Sequence, residues 1–248
     1  MNSLERITEF QNLIKKCEEE KQWIGVGNPL APILIVGKEP AIDLQQGEDE
    51  QIHIMNNVMA VRDCFNNGDI VNLFLQPHPK RATSTWNKYQ YLIDLILYDR
   101  KIERSRDVPL PFGAFSFITE MNNTVSLNTG TAKKNIRVDF FKHRFYQDFP
   151  VVILACSNYI RNNGNDRQID ETFGVHFDMD GEKRSGEHLY ENGLWFYTHH
   201  NKDNTKLVIH TWQLSQSISD VMLQDMATII RNHLIMQKRF PNHINFGC

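Results

Sequence analysis

The chain has 248 residues, of which 41% are hydrophobic and 23% charged, and a formal net charge of -3 at pH 7. These values suit one soluble α/β domain with a substantial core, and they exclude a globally basic nucleic-acid-binding protein. No apolar run approaches the roughly 20 residues that a membrane-spanning helix needs. The polar start of the chain, residues 1–6, lacks the apolar core of a signal peptide. We therefore expect a cytoplasmic monomer without membrane contact.

The four cysteines are widely spaced and form no Cys-x-x-Cys pair. They are Cys17, Cys64, Cys156 and Cys248. We interpret them as reduced thiols, not as a disulfide framework or a zinc site.

The predicted elements in chain order alternate between helices and short apolar strands. In the first half, hydrophobic spacing predicts helices over about 3–21, with Ser3 as a possible cap, and over about 53–66 and 84–100. A buried strand at about 32–36 separates the first two of these helices.

The second half predicts three more strands and two helices. The strands are at about 114–119, 151–155 and 207–209, and the last forms a hairpin with 195–198 around a turn at 201–204. The helices span about 132–149 and 217–237.

Polar clusters follow four of these strands. They are 37–39, 120–122, 156–158 and 210–212. Because helices separate most of the strands, the pattern favours a three-layer α/β/α sandwich with a central, mostly parallel four-stranded sheet. The clusters would then share one edge of the sheet, where open α/β folds bind ligands. We treat residues 1–248 as one domain, with 162–192 as a possible insertion or lid.

Two segments resemble the motifs of the uracil-DNA glycosylase superfamily. The turn Gly27-Asn28-Pro29 leads into a strand that ends in Gly37-Lys38-Glu39-Pro40, which is similar to the first motif and closest to the iron–sulfur branch. The segment 210–215, His-Thr-Trp-Gln-Leu-Ser, looks like a diverged second motif. The order of strands between the motifs also fits this family.

The resemblance implies a role for each matched position. Glu39 would activate water or stabilise the oxocarbenium ion, and His210 would donate a hydrogen bond to the departing base. Glu120 or Asn122 would determine base identity. The remaining positions of the base pocket would be Gly37, Lys38, Pro40 and Trp212. The loop residues Thr211, Gln213 and Ser215 would contact DNA.

The chain departs from that family at three points. Only Cys17 stands where the iron–sulfur branch has a pair of cysteine ligands, so we expect no cluster and no other cofactor. Glu120 occupies the register of the base-reading asparagine, and an ionised carboxylate only accepts hydrogen bonds. Ala41 replaces the aromatic residue that stacks on the flipped base.

Each candidate residue also has a structural interpretation. Glu39 could cap a helix or pair with Lys38, and His210 could be a buried core histidine. Trp212 could be a wedge in the duplex or a core aromatic. Adjacent histidines on a strand point to opposite faces, so His199 and His200 indicate a metal site only weakly, and we expect no metal.

The densest basic run contains Lys133, Lys134 and Arg137, which would share one face of the predicted 132–149 helix. These residues could contact DNA phosphates, or they could form a solvated face.

The sequence thus favours a DNA glycosylase-like protein that hydrolyses the N-glycosidic bond of a uracil-like or damaged base without a metal. One alternative is a catalytically silent member of the fold that binds nucleic acid or a nucleotide. Another is a small-molecule hydrolase that uses the same edge of the sheet.

Overall fold

The structure is a computed structural model. It describes residues 1–42, 44–45, 47–68, 84–104, 110–126, 135–163, 165–214 and 218–240. Lys133, Lys134 and Ser215 lie outside these ranges, as does Cys248.

The described helices follow the amphipathic segments of the sequence closely, with one exception discussed below. They are α1 (Ser3–Glu20), α2 (Glu50–Asn66), α3 (Ser84–Tyr98), α4 (Arg144–Gln147), α5 (Gln168–Phe173) and α6 (Asp220–Met236). The side chain of Asn2, and not that of Ser3, caps α1: Asn2 and Glu5 each accept a hydrogen bond from the other's backbone amide at 3.0 Å.

The described strands form one mixed sheet. They are β1 (Val26–Gly27), β2 (Ile33–Gly37), β3 (Ser116–Glu120), β4 (Val151–Leu154), β5 (His176–Phe177), β6 (Glu187–Leu189), β7 (Trp195–His200) and β8 (Leu207–Thr211). The order is β1-β3-β2-β4-β8-β7-β5, and β6 also pairs with β7. The strands β3, β2, β4 and β8 are mutually parallel.

The parallel strands are buried on both faces by helices. Leu34, Val152 and Val208 face a cluster that contains the apolar side of α1 and α2. Their neighbours Ile153 and Ile209 face a second cluster with α3 and α6. This alternation explains why β2 and β4 are continuous apolar runs in the sequence.

The four strands predicted from apolar runs are the four parallel strands, and β7 and β8 form the predicted hairpin. The predicted four-stranded sheet is nevertheless too small, because the structure pairs eight strands. The additional strands β1, β5 and β6 have only two or three residues each, which is too short for an alternating hydrophobic pattern to identify.

The predicted helix at 132–149 is wrong over its described part. A 3₁₀ turn spans Val138–Lys142, and α4 adds one further turn at Arg144–Gln147. The side chains of Phe140, Phe141, Phe145 and Tyr146 are buried, so the segment directs aromatic groups inward without keeping one helical axis.

Within the described ranges, no helix combines the length and apolar character needed to cross a membrane.

Candidate active site

The carboxyl ends of the parallel strands bring the predicted clusters to one edge of the sheet. Gly37 at the end of β2 is paired with Glu120 at the end of β3. Leu154 of β4 lies between Val36 of β2 and His210 of β8. The pairing of β2 and β3 continues past their ends, since the Asn122 amide donates to the Lys38 carbonyl oxygen at 2.7 Å.

The side chain of Glu120 folds across Gly37. A Cβ atom at position 37 would lie 2.1 Å from Oε2 of Glu120, so only glycine leaves room for this carboxyl group. Burial and the nearby charge of Glu39 raise the pKa of Glu120 to about 8, and Arg137 partly opposes them. Glu120 therefore holds a proton at neutral pH.

Glu39 is 5% exposed, and burial raises the pKa of its carboxyl group. The Tyr159 hydroxyl, the Lys38 charge and the Asn122 amide act in the opposite direction. The hydroxyl of Tyr159 and the side-chain amide of Asn122 thus both face the carboxyl group of Glu39. Each oxygen of a carboxylate can accept more than one hydrogen bond, so ionised Glu39 can still accept a further donor. The charge of Glu39 helps to raise the pKa of Glu120, so Glu39 is the member of this pair that ionises first.

The neighbours of Glu39 are held firmly. The Oδ1 atom of Asn122 accepts hydrogen bonds from the backbone amides of Thr124 at 3.3 Å and Asn135 at 2.7 Å, which leaves its amide group to face Glu39. The Nζ atom of Lys38 lies 5.4 Å from the ring centroid of Tyr159. Pro40 is buried, and its carbonyl oxygen accepts from the Ser126 amide at 3.0 Å. Asn122 thus positions the Glu39 carboxyl group.

Arg137 does not lie on a surface that could meet DNA phosphates. It is 6% exposed and donates to the Glu120 carbonyl oxygen at 2.9 Å, to the hydroxyl of Thr119 at 2.8 Å and to the Trp23 carbonyl oxygen. These contacts give Arg137 a structural role. The basic face predicted for Lys133, Lys134 and Arg137 required the continuous helix that the described part does not form.

His210 lies at the end of β8 with 7% exposure. Its Nε2 atom is 2.8 Å from the Ser157 carbonyl oxygen, which can only accept, so Nε2 carries the proton. Burial lowers the pKa of His210 to about 4, so the ring is neutral at pH 7 and Nδ1 is an acceptor. The resemblance implied that His210 donates a hydrogen bond to the departing base. In the structure its Nε2–H donates to the Ser157 carbonyl oxygen instead.

The rest of the second motif is divided between core and surface. Thr211 is buried, and its hydroxyl donates to the Trp195 carbonyl oxygen at 2.9 Å. Trp212 packs partly against the core and also lines a cleft, and its role as a wedge in the duplex stays a prediction. Gln213 is half-buried.

A cleft of about 750 Å³ opens beside this edge of the sheet. Its lining includes one face of the β7–β8 hairpin, with Trp195, Tyr197 and His199 from β7, His210 from β8 and Trp212 directly after β8. Arginines and asparagines from the segment after β4 also line it.

The carboxyl pair is not part of this lining. Glu39 and Glu120 connect to it through the 3₁₀ turn Ser157–Tyr159: Tyr159 contacts Glu39, and Ser157 lines the cleft and holds His210. The structure thus brings together the ends of β2 and β3 as one group, and His210 with Trp212 as a second, adjacent group.

Sequence reasoning missed Tyr159 and the aromatic surface of β7. Tyr159 follows no motif, so no signal in the sequence pointed to it. Trp195 and Tyr197 alternate at a period of two, which places both on one face of a strand and could have indicated a shared surface.

The range 162–192, predicted as an insertion or lid and described except for residue 164, contains α5, β5 and β6. Its strands pair with β7, so this range supplies one wall of the cleft. Movement of this range over the site stays a prediction.

The two adjacent histidines point in opposite directions, as expected for a strand. His199 contacts Asp170 and His200 contacts Asp178. Among the described residues, no three His, Cys, Asp or Glu side chains are grouped closely enough to hold a metal ion.

Comparisons with protein-family models, with curated proteins and with solved structures find no match to this chain.

Proposed function

We propose that the chain hydrolyses the N-glycosidic bond of a uracil-like or damaged base in DNA. The observation that carries the proposal is the coupled carboxyl pair, Glu39 and Glu120, at the carboxyl ends of adjacent parallel strands. The resemblance of residues 37–40 and 210–215 to the two motifs of the uracil-DNA glycosylases supports it. So does the parallel strand order, which places these motifs on the same edge of a helix-flanked sheet.

The two carboxyl groups suit the two charges that develop in this reaction. Cleavage builds positive charge on the sugar and negative charge on the departing base. Ionised Glu39 would stabilise the sugar cation and orient the attacking water, since both of its oxygens can accept.

Protonated Glu120 would meet the base. A neutral carboxyl group presents one O–H donor and one carbonyl acceptor, the same pair of functions that an asparagine amide presents. Its raised pKa therefore lets a glutamate occupy the position of a base-reading asparagine. Glu120 takes the donor role that His210 cannot fill while its Nε2 proton is bound to Ser157.

A second candidate is a catalytically silent protein that binds nucleic acid or a nucleotide. Two observations favour it: Glu39 is only 5% exposed, and the Nε2–H of His210 already donates to the Ser157 carbonyl oxygen. It shares the fold and the site, and it differs only in releasing no base.

The two candidates separate in an alkali-revealed strand-cleavage assay. Labelled single- and double-stranded oligonucleotides would carry uracil, hypoxanthine, xanthine or mismatched thymine. We expect release of one of these bases, lowered at least about 100-fold in Glu39→Gln, because that variant removes the negative charge. Glu19→Gln, an exposed change on α1, is the matched control and should retain the rate.

Absence of release from every substrate by folded protein, together with oligonucleotide binding, would favour the silent candidate. Release that Glu39→Gln leaves unchanged would reject the assigned mechanism.

A further inference from the structure

Three aromatic side chains that line the cleft, those of Trp195, Tyr197 and Trp212, contact one another and are called the aromatic floor below. The rings of Trp195 and Tyr197 are stacked, with centroids 4.6 Å apart and an interplanar angle of 21°. Trp212 extends this surface, with its ring centroid 5.6 Å from that of Trp195. Phe177 of β5 stands beside Tyr197, at 6.0 Å and close to perpendicular. Aromatic side chains presented on a sheet are a common surface for stacking nucleobases.

The walls of the cleft are positively charged. Arg161, Arg167 and Arg184 line it, and no carboxylate side chain is among the described lining residues. Arg167 is committed to Asp170. Arg184 forms one exposed ion pair, with Glu187 at 3.3 Å, and its guanidinium lies 5.2 Å from the ring centroid of Phe177. Arg161 and Arg184 are exposed, so both can reach an anionic group.

The lining of the cleft also includes a buried ring nitrogen, on His199, that has no hydrogen-bond partner among the described residues. His199 is 1% exposed, and its Nδ1 atom lies 3.3 Å from Oδ1 of Asp170. Its Nε2 atom is buried and has no partner among the described residues. The indole N–H of Trp212 is in the same situation. A buried polar atom without a hydrogen-bond partner lowers the stability of the folded protein. A ligand with a polar edge could form the missing hydrogen bonds.

We propose that this cleft binds one nucleotide unit, with its base stacked on an outer ring face of the Trp195–Tyr197 pair and its phosphate held by Arg161 and Arg184. The aromatic floor recognises a flat ring, and His199 recognises a polar edge of that ring. The arginines recognise an anionic group. A neutral sugar would use the aromatic floor but would bring no anionic group to Arg161 and Arg184.

This site is distinct from the carboxyl pair, which does not line the cleft. The inference therefore goes beyond the proposed function and does not require base cleavage. The nucleotide could be free in solution or part of a single strand, and both present the same base and phosphate.

Titration with four probes distinguishes these sources. The probes are an oligothymidylate single strand, thymidine monophosphate, thymidine and inorganic phosphate. Binding of each is measured at low salt by the quenching of tryptophan fluorescence. Two of the four tryptophans, Trp195 and Trp212, line the cleft. We expect the monophosphate to bind at least about 10-fold more tightly than thymidine, and inorganic phosphate to cause little quenching. Tighter binding of the strand than of the monophosphate would identify a strand nucleotide, and equal affinity a free one.

Variants test the geometry. Arg184→Gln and Arg161→Gln should each weaken monophosphate binding by about 5- to 10-fold while leaving thymidine binding unchanged. Arg144→Gln is the matched control for Arg184→Gln, because Arg144 is also exposed and also forms a single ion pair, with Glu9 at 3.4 Å. Tyr197→Leu should weaken both ligands. Thermal melting confirms that each variant is folded.

Equal affinities for thymidine and its monophosphate, or equal losses in Arg184→Gln and Arg144→Gln, would overturn the inference. Glu39→Gln should bind the monophosphate like the wild type. If the wild-type protein releases base but does not bind the monophosphate, the cleft assignment is rejected and the proposed function is retained. If it binds the monophosphate but releases no base, the proposed function is rejected and the cleft assignment is retained.

Discussion

The proton on Glu120 determines what the carboxyl pair can do. The sequence shows a glutamate where an amide is expected, and an ionised glutamate cannot donate a hydrogen bond. Burial and the charge of Glu39 reverse that conclusion, because they keep Glu120 protonated at neutral pH. A side chain's identity is visible in the sequence, but its protonation state depends on neighbours that only the fold brings together.

The first prediction concerns the pH dependence of base release. The reaction requires ionised Glu39 and protonated Glu120. The single-turnover rate should therefore fall as the pH rises through about 8, the pKa of Glu120. In Glu120→Gln the amide stays neutral and can still donate, so this alkaline fall should disappear. An alkaline fall that persists in Glu120→Gln would assign it to another group.

The second prediction concerns stability. The pKa of Glu120 is about 8 in the folded protein and has an ordinary value of 4.5, so the folded state binds this proton more tightly. Its contribution to stability is complete below pH 4.5 and is lost progressively as the pH rises towards about 8. Glu120→Gln should thus be more stable than the wild type at pH 8 by up to about 4 kcal/mol, since each pKa unit corresponds to about 1.4 kcal/mol and the folded carboxyl group is half ionised at this pH.

Urea denaturation at pH 5 and pH 8 measures this difference. The gain in Glu120→Gln should be larger at pH 8, whereas the exposed control Glu19→Gln should change little at either pH. A destabilised Glu120→Gln at pH 8 would show that the wild-type carboxyl group is ionised and favourably paired.

The third prediction concerns Gly37. An alanine Cβ would displace the Glu120 carboxyl group, which is the flexible end of a side chain. Gly37→Ala should therefore fold, with a loss of about 1–3 kcal/mol in the free energy of unfolding. It should also lose most base release, because Glu120 no longer faces Glu39. Retention of the wild-type rate by folded Gly37→Ala would remove Glu120 from the mechanism.

At the scale of elements, the segment after β3 shows where sequence periodicity is insufficient. Its aromatic and basic residues suggest one amphipathic helix, yet a 3₁₀ turn and the short α4 occupy the described part. Arg137 has φ -115° and ψ 48°, outside helical geometry, and its guanidinium group is hydrogen-bonded to acceptors of β3 and of Trp23. A tertiary contact of this kind overrides local propensity and leaves no pattern in the sequence.

The fourth prediction contrasts two arginines of this segment. Arg137→Met leaves the carbonyl oxygens of Glu120 and Trp23 without their donor, so it should lower the free energy of unfolding by about 2–4 kcal/mol. Arg144→Met removes only one exposed ion pair and should change it by less than about 1 kcal/mol. Denaturant unfolding of both variants tests this, and similar values for the two would contradict the structural role of Arg137.

At the scale of the whole molecule, the parallel strands could be predicted from the sequence, whereas the short antiparallel strands that extend the sheet could not. Strands buried on both faces are apolar runs bounded by turns, and their order follows from the intervening helices. The short strands β5 and β6 gain their structure from pairing with β7, so their own residues carry little signal.

The same limit applies to the site. Parallel strand ends predict which residues gather at one edge, and Gly37, Glu39, Glu120 and His210 do so. Their hydrogen-bond partners could not be predicted from the sequence. The Ser157 carbonyl oxygen accepts from His210, and Tyr159 contacts Glu39, and both partners come from a turn that carries no recognisable motif.

The measurement that tests the central claim most directly is the release of free base, detected by mass spectrometry, from a uracil-containing single-stranded oligonucleotide and its hypoxanthine counterpart. Wild type, Glu39→Gln and Glu19→Gln would be compared under single-turnover conditions near pH 7. The account predicts base release by the wild type and by Glu19→Gln, and its loss in Glu39→Gln. Equal release by all three proteins, or no release from either substrate by the folded wild type, would contradict it.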